Sequence, residues 1–217
     1  MPLQYVNKIT PDTAIGIWHC TEDAESMSEI LILDPADEQI LATLRNPNRK
    51  LQWLGCRMIL TSLLHTRIIS IRYDNVGKPA LLSPLVNLSF SHSFPYAVAI
   101  ISNSFRVGVD IERVRAKIRK VADRFLSATE LDLASGSDQV AIYTLFWSVK
   151  EAVYKIHGKP DLNIQLDICI ESFDYLCAGA GSLTARMILP DKERTFPVNY
   201  LRFDDWMVVW ALDPGEP

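Results

Sequence analysis

No part of this 217-residue chain looks like a leader or a membrane span. Its first residues, MPLQYVNKITPDTAIGIW, lack a basic region followed by an apolar stretch, and no run approaches the roughly 18 apolar residues of a spanning helix. Cysteine is also scarce and unpatterned. The four thiols, at 20, 56, 169 and 177, form no C-x-x-C pair and no zinc-like spacing, so they read as reduced, mostly structural groups. A surplus of positive charge is missing too: 22 Lys and Arg stand against 26 Asp and Glu, a formal net charge of −4, which argues against a general nucleic-acid binder. These absences leave a cytoplasmic protein with neither membrane nor nucleic acid as partner, expected to act as a monomer.

What is present is apolar and periodic, with 48% of the residues hydrophobic. AIGIWHC (14 to 20) reads as a strand, 26 to 44 as helices, and about Asn48 to His65 as a longer helix. Short strands follow around IISIRYD, GKPALL and NLSFS, and AVAII reads as a buried strand. After Asn103 the pattern restarts. RVGVDIERV alternates as a strand, AKIRKVADRFL reads as a helix, about Gln139 to His157 as a second long helix, and Asp167 to Leu212 as three or four strands divided by turn signals such as AGAGS and LPDKE. The expected class is α+β with two similar halves, 1–103 and 104–217, each a mostly antiparallel sheet packed on one long helix. The likeness of LQWLGCR to TLFWSVKE makes a pseudo-duplication the reading of that layout.

Three places concentrate chemistry. NLSFSHS (87 to 93) sets three serines and His92 on a strand edge, where the ordinary reading is a polar turn. In VGVDIE, Gly108, Asp110 and Glu112 share one strand face and Val107, Val109 and Ile111 the other. Two carboxylates so held repel one another, and are either solvated or a hard-metal site. On the second long helix Ile142, Leu145, Phe146, Val149, Val153 and Ile156 form an apolar stripe. Trp147, Glu151 and Lys155 lie roughly opposite, where a large aromatic needs a second surface to cover it.

In order along the chain, GKP (77 to 79), SHS (91 to 93), GVDIE (108 to 112) and FWSVKEAVYK (146 to 155) resemble the signature of the 4'-phosphopantetheinyl transferase superfamily, and their separations resemble its larger, Sfp-type members with two similar halves in one chain. The resemblance implies Mg²⁺-dependent transfer of the phosphopantetheine arm of coenzyme A to a serine of an apo acyl or peptidyl carrier protein, releasing adenosine 3',5'-bisphosphate. It implies coenzyme A-binding elements in the first half, with the metal site and catalytic helix in the second. Asp110, Glu112 and Glu151 would then hold Mg²⁺. Glu151, directly or through a water, would take the serine proton, with Glu112 the alternative base. Lys155 would reach the pyrophosphate, Lys78 and Pro79 the nucleotide, and Ser91 and His92 the phosphates. Arg49 and Arg57, at i and i+8 around Trp53, resemble the family's helix near the 3'-phosphate. In RFLSATEL (124 to 131), Glu130 resembles the family's F-S-x-x-E glutamate and reads as structural, near a helix start.

Two readings compete with a working transferase: a non-catalytic coenzyme A or carrier-protein binding module of the same fold, and a magnesium-dependent phosphohydrolase of another pyrophosphate. The segment RVRAKIRKVADRF adds Arg113, Arg115, Lys117, Arg119, Lys120 and Arg124 against Asp123 alone, one residue past Glu112. Such a patch suits an acidic carrier as well as it suits a solvated face.

Overall fold

The structure is a computed structural model describing residues 2–82, 84–171, 173–177, 179–213 and 215. The chain forms two compact units, Met1–Arg106 and Val107–Pro217, dividing three residues after the boundary drawn from sequence. The first runs through β1 (Leu3–Thr10), β2 (Thr13–His19), α1 (Ala24–Ile30), β3 (Ile32–Leu33), α2 (Pro35–Thr43), α3 (Pro47–Leu64), β4 (Ile68–Ile69), β5 (Ile71–Tyr73), β6 (Pro79–Leu81), β7 (Asn87–Ser93) and β8 (Tyr96–Ser102). Next come β9 (Arg106–Arg113), 3-10 turns at Ala116–Lys120 and Ala122–Arg124, α4 (Ala128–Leu133), α5 (Gln139–His157), α6 (Ile164–Asp167), β10 (Ile168–Ile170), β11 (Gly179–Leu189), β12 (Lys192–Phe203) and β13 (Trp206–Asp213). This is a mixed α+β architecture with mainly antiparallel pairing; the short β3–β4 pair is parallel.

In the first unit the sheet order is β1-β2-β8-β7, so β7 is an edge strand. Asn46 starts α3 by accepting the Arg49 backbone N–H at 3.1 Å, with Pro47 in the first turn, where a missing donor costs nothing. Leu54, Ile59 and Leu60 then sink into a cluster with Leu88, Ala97 and Ala99 of the sheet.

The second unit has the order β10-β11-β12-β13-β9. Ala185 and Met187, Phe196 and Val198, and Met207 and Val209 are alternate residues of three strands, so they line one sheet face. They share a cluster with the α5 stripe, of which Leu145, Phe146, Val149, Val153 and Ile156 have no exposed surface. Gly158, with φ 71°, closes that helix in the left-handed conformation that glycine adopts without a Cβ clash.

Two expectations need correction, and one strand was not read from the sequence. AKIRKVADRFL makes two 3-10 turns instead of an α-helix. Arg115 offers no side-chain cap, four like charges crowd the segment, and Ala122, Phe125 and Leu126 supply too little apolar surface for a helical stripe. Gly179 to Ser182 of AGAGS belong to β11, and Ala178 lies outside the described residues. Cross-strand pairing with Asn199 to Arg202 overrides the turn preference of the glycines. The N-terminal strand β1 carries mixed polar and exposed residues, with no alternation to betray it; pairing with β2 makes it a strand.

The approach of β9 to α5 is what places the acidic residues. A Cβ on Gly108 would stand 1.9 Å from the Ala152 carbonyl oxygen, so only glycine fits. Asp110 and Glu112, on the same face as Gly108, are therefore laid along the flank of α5. We expect Gly108→Ala to lower the unfolding free energy by about 3 kcal/mol, the upper end of the overpacking range, because backbone must move. Chemical denaturation measures it, and a loss below about 1 kcal/mol would mean the helix retreats freely.

Candidate active site

The surface that covers the Trp147, Glu151 and Lys155 side of α5 is β9 itself. Asp110 is buried, 4% exposed, which removes the solvated reading of the D-x-E pair at its first member. The Lys155 ammonium donates to Asp110 Oδ1 and to the Val109 carbonyl, each at 2.9 Å. Two turns earlier, the Trp147 indole N–H donates to Glu112 Oε1 at 3.3 Å, and its ring stands edge-on to Phe125, centroids 5.0 Å apart. The tryptophan so has both an apolar neighbour and a partner for its polar tip.

Electrostatics bind the three carboxylates into one system. Burial pushes the Glu112 carboxyl up to about 6, and the negative charges of Asp110 and Glu151 add to the rise against Trp147 and Lys155. Glu151 is raised too, first by burial and then by Asp110, with Lys155 opposing. Among the described residues no three His, Cys, Asp or Glu side chains stand close enough to cage a metal as they are. The donor chemistry nonetheless fits a hard divalent cation: the ligand atoms are all carboxylate oxygens, and a cation would relieve the burial and repulsion that raise Glu112 and Glu151.

Beside Glu112 and Trp147 opens a cavity of about 590 Å³. Ile118, Val121, Phe125 and Ile164 give it an apolar interior, and Arg113, Arg115, Lys117 and Arg124 give it a basic rim. The sequence marked the basic segment but not the cavity, because Ile164 and Phe125 are far apart in the chain and nothing in the sequence brings them together.

In the first unit, Leu88, Phe90 and His92 follow one face of β7, and Leu88 and Phe90 pack in the α3 cluster. His92 thereby reaches the first turn of α3, where a terminal nitrogen of Arg49 contacts its ring Nε2. Ser91, the preceding residue, has its side chain on the opposite face of the strand. Lys78 is half-buried in the β5–β6 turn, where the Asp74 carboxylate accepts the backbone N–H groups of Val76 at 3.0 Å and Lys78 at 2.8 Å, and Pro79 opens β6. Arg57 goes elsewhere. Its side chain is 1% exposed, grips both oxygens of buried Asp37 at 2.7 and 3.1 Å, and lies 3.2 Å over the Trp53 ring. That guanidinium is internally satisfied and does not join Arg49; Asp37, its partner, carried no sign in the sequence beyond an ordinary helix-start acid.

Desolvated carboxylates with one lysine, beside a cavity lined by basic side chains, are chemically suited to a hard cation and anionic groups. Residues 106–204, a little under half of the chain, match the family model described as the 4'-phosphopantetheinyl transferase superfamily. It is 34% identical over 143 residues to 4'-phosphopantetheinyl transferase psf-1 of Bacillus pumilus, covering 64% of this chain and 54% of that protein. With 4'-phosphopantetheinyl transferase AcpT of Escherichia coli K12 it shares 33% identity over 117 residues, 51% of this chain and 59% of that one. With 4'-phosphopantetheinyl transferase Sfp of Bacillus subtilis the identity is 27% over 178 residues, 74% and 76% of the two chains. The matched stretch thus spans little more than half the length of psf-1 and AcpT.

The raised Glu112 gives a signed pH dependence. Between its ordinary 4.5 and about 6, the folded chain keeps a proton at Glu112 that the unfolded chain has lost. This group therefore makes the protein less stable as pH rises through that window. Carbon-detected NMR titration of the Glu112 carboxyl should give a midpoint near 6 without divalent cations, moving down when Mg²⁺ is added; a midpoint near 4.5 in both conditions would dissolve the coupled site.

Proposed function

We propose that this protein transfers the 4'-phosphopantetheine group of coenzyme A to a serine of an apo carrier protein. The observation that carries the reading is the buried carboxylate set along the β9–α5 approach, inside the segment that matches the superfamily. Asp110, Glu112 and Glu151 would hold Mg²⁺, with Glu112 and Glu151 turning toward Asp110 to do so. A bound Mg²⁺ supplies charge neutralisation for the pyrophosphate of coenzyme A. Glu151, desolvated and so a stronger base than a surface glutamate, takes the proton from the serine hydroxyl, with Glu112 the alternative. The serine oxygen forms the new bond to the phosphorus that bears pantetheine. The phosphoanhydride bond breaks, and its electron pair leaves on adenosine 3',5'-bisphosphate. Lys155 faces the developing charge as a point cation.

Arg49 and His92 form the phosphate cluster of the first unit in this reading, with Lys78, Pro79 and Ser91 assigned to coenzyme A by family resemblance; Arg57 is left out because Asp37 holds it. The two-unit layout, with one long helix per sheet, supports the larger two-half kind of the family. Four free cysteines suit a reducing compartment such as the cytoplasm, and among the described residues no helix is long and apolar enough to cross a membrane. The binding-module alternative is disfavoured by the presence of all three carboxylates and Lys155.

Incubating apo acyl and peptidyl carrier proteins with coenzyme A, Mg²⁺ and this chain, followed by mass spectrometry, should show the mass of one phosphopantetheine on the carrier. Glu151→Gln should abolish transfer while leaving the melting profile near wild type, since the change keeps shape and removes a half-buried charge. Wild-type kcat in that variant would end both roles of Glu151.

The basic rim gives a second prediction. Carriers are acidic, so Arg115→Glu with Lys117→Glu should lower the carrier on-rate and flatten its salt dependence, with coenzyme A affinity unchanged. Stopped-flow association across ionic strengths measures this; an unaltered salt slope would move the landing site away from the cavity.

A further inference from the structure

Lys150 stands next to Glu151 in W-S-x-K-E and has the look of a second catalytic cation, yet its side chain is wholly buried and turns away from the acidic face. Its ammonium sits 2.9 Å from Glu130 Oε2, 2.6 Å from the Ile168 carbonyl, 3.1 Å from that of Ile164 and 3.4 Å from that of Gln165. Three N–H donors face four acceptors, so the group has nothing left to offer a substrate. Burial lowers its pKa, and Glu130 opposes the fall.

The groups it holds form a chain. Glu130 accepts the Ser127 N–H at 2.8 Å in the capping box of α4, and its other oxygen accepts the Ile170 N–H at 3.1 Å. The Gln165 carboxamide, from α6, donates to the carbonyls of Asp123 and Leu126, both at 2.8 Å. Three separate stretches, 123–130, α5 at Lys150 and 163–170, are so tied at one point. Two of them line the 590 Å³ cavity, the first through Arg124 and Phe125 and the last through Ile164.

We propose that Lys150, with Glu130 and Gln165, is a positioning latch that sets the spacing of the cavity walls and thereby the fit of the acceptor, and that it is not a catalytic residue. The acceptor half of this inference rests on the transferase reading; the latch itself does not. Its consequence is separable: loosening the latch changes how the acceptor seats and leaves the carboxylates and the first unit alone.

Hydrogen–deuterium exchange on the full chain tests the latch without any substrate. Gln165→Ala removes only the half-buried bridge to Asp123 and Leu126, and the double variant K150M/E130Q removes both buried charges together, avoiding an uncompensated ion. Amides of residues 115–126 should exchange about tenfold faster in each, the effect of losing one hydrogen bond, with β12 and β13 at wild-type rates. Equal acceleration in β12 and β13, or no change at 115–126, would overturn the latch. In transfer assays with an apo acyl carrier protein, Gln165→Ala should raise the carrier KM several-fold at unchanged kcat and unchanged coenzyme A KM. An unchanged carrier KM, or a loss of kcat alone, would overturn the positioning role. Absence of transfer by the wild-type chain is a failure of the transferase reading instead, and the exchange measurement then decides the latch by itself.

Discussion

The second unit depends on one close approach, the backbone of β9 against the backbone of α5 at Gly108 and Ala152. Without a side chain at 108 the strand lies near enough for Asp110 to meet Lys155 and for Glu112 to meet Trp147. A larger spacing would admit water between the elements, and the carboxylates would be solvated as any surface pair. The chemistry of the site is therefore a consequence of packing: desolvation raises Glu112 and Glu151, and the same desolvation makes their mutual repulsion felt. An ion pair at Asp110 and an indole N–H at Glu112 offset part of that burden.

Such a site trades stability for function. Three interacting carboxylates with one lysine are an unfavourable arrangement for a folded chain, and neighbouring structure has to carry it. The apolar stripe of α5 does most of this, with five of its side chains wholly buried against alternate residues of β11, β12 and β13. Helix and sheet are rigid elements, so the acidic positions are held by their backbones more than by their own contacts.

The parts of the fold that were legible in the sequence are those where a single period decides. The α5 stripe recurs at three and four, and the VGVDIE alternation at two, so both elements and their faces follow from spacing alone. The basic segment after Glu112 was misread because charge repels a helix that its residue types would otherwise allow, and only burial of Ala122, Phe125 and Leu126 shows where it is anchored. β1 and the start of β11 take their conformation from strands beside them, a nonlocal cause that no window of sequence contains. Of the site, the motif residues on β9 and α5 were visible; the cavity was not, since its walls meet only through tertiary contacts.

Sorting the basic residues needs partners, and sequence does not name partners. Arg49 and Arg57 are equivalent by helical phase, two turns apart on α3, yet one meets His92 and the other closes on Asp37. Lys150 and Lys155 are likewise close neighbours on α5, and one is enclosed by Glu130 and three carbonyls while the other faces Asp110 at the edge of the acidic site. In both helices the cation buried with an aspartate or glutamate is a structural tie, because a buried charge must be matched and hydrogen-bonded to exist there at all. The cation left half-exposed or exposed beside other polar groups is the one able to meet a ligand's charge. Burial of the cation itself, more than the position of the base in a motif, separates the residues that build this protein from those available to act.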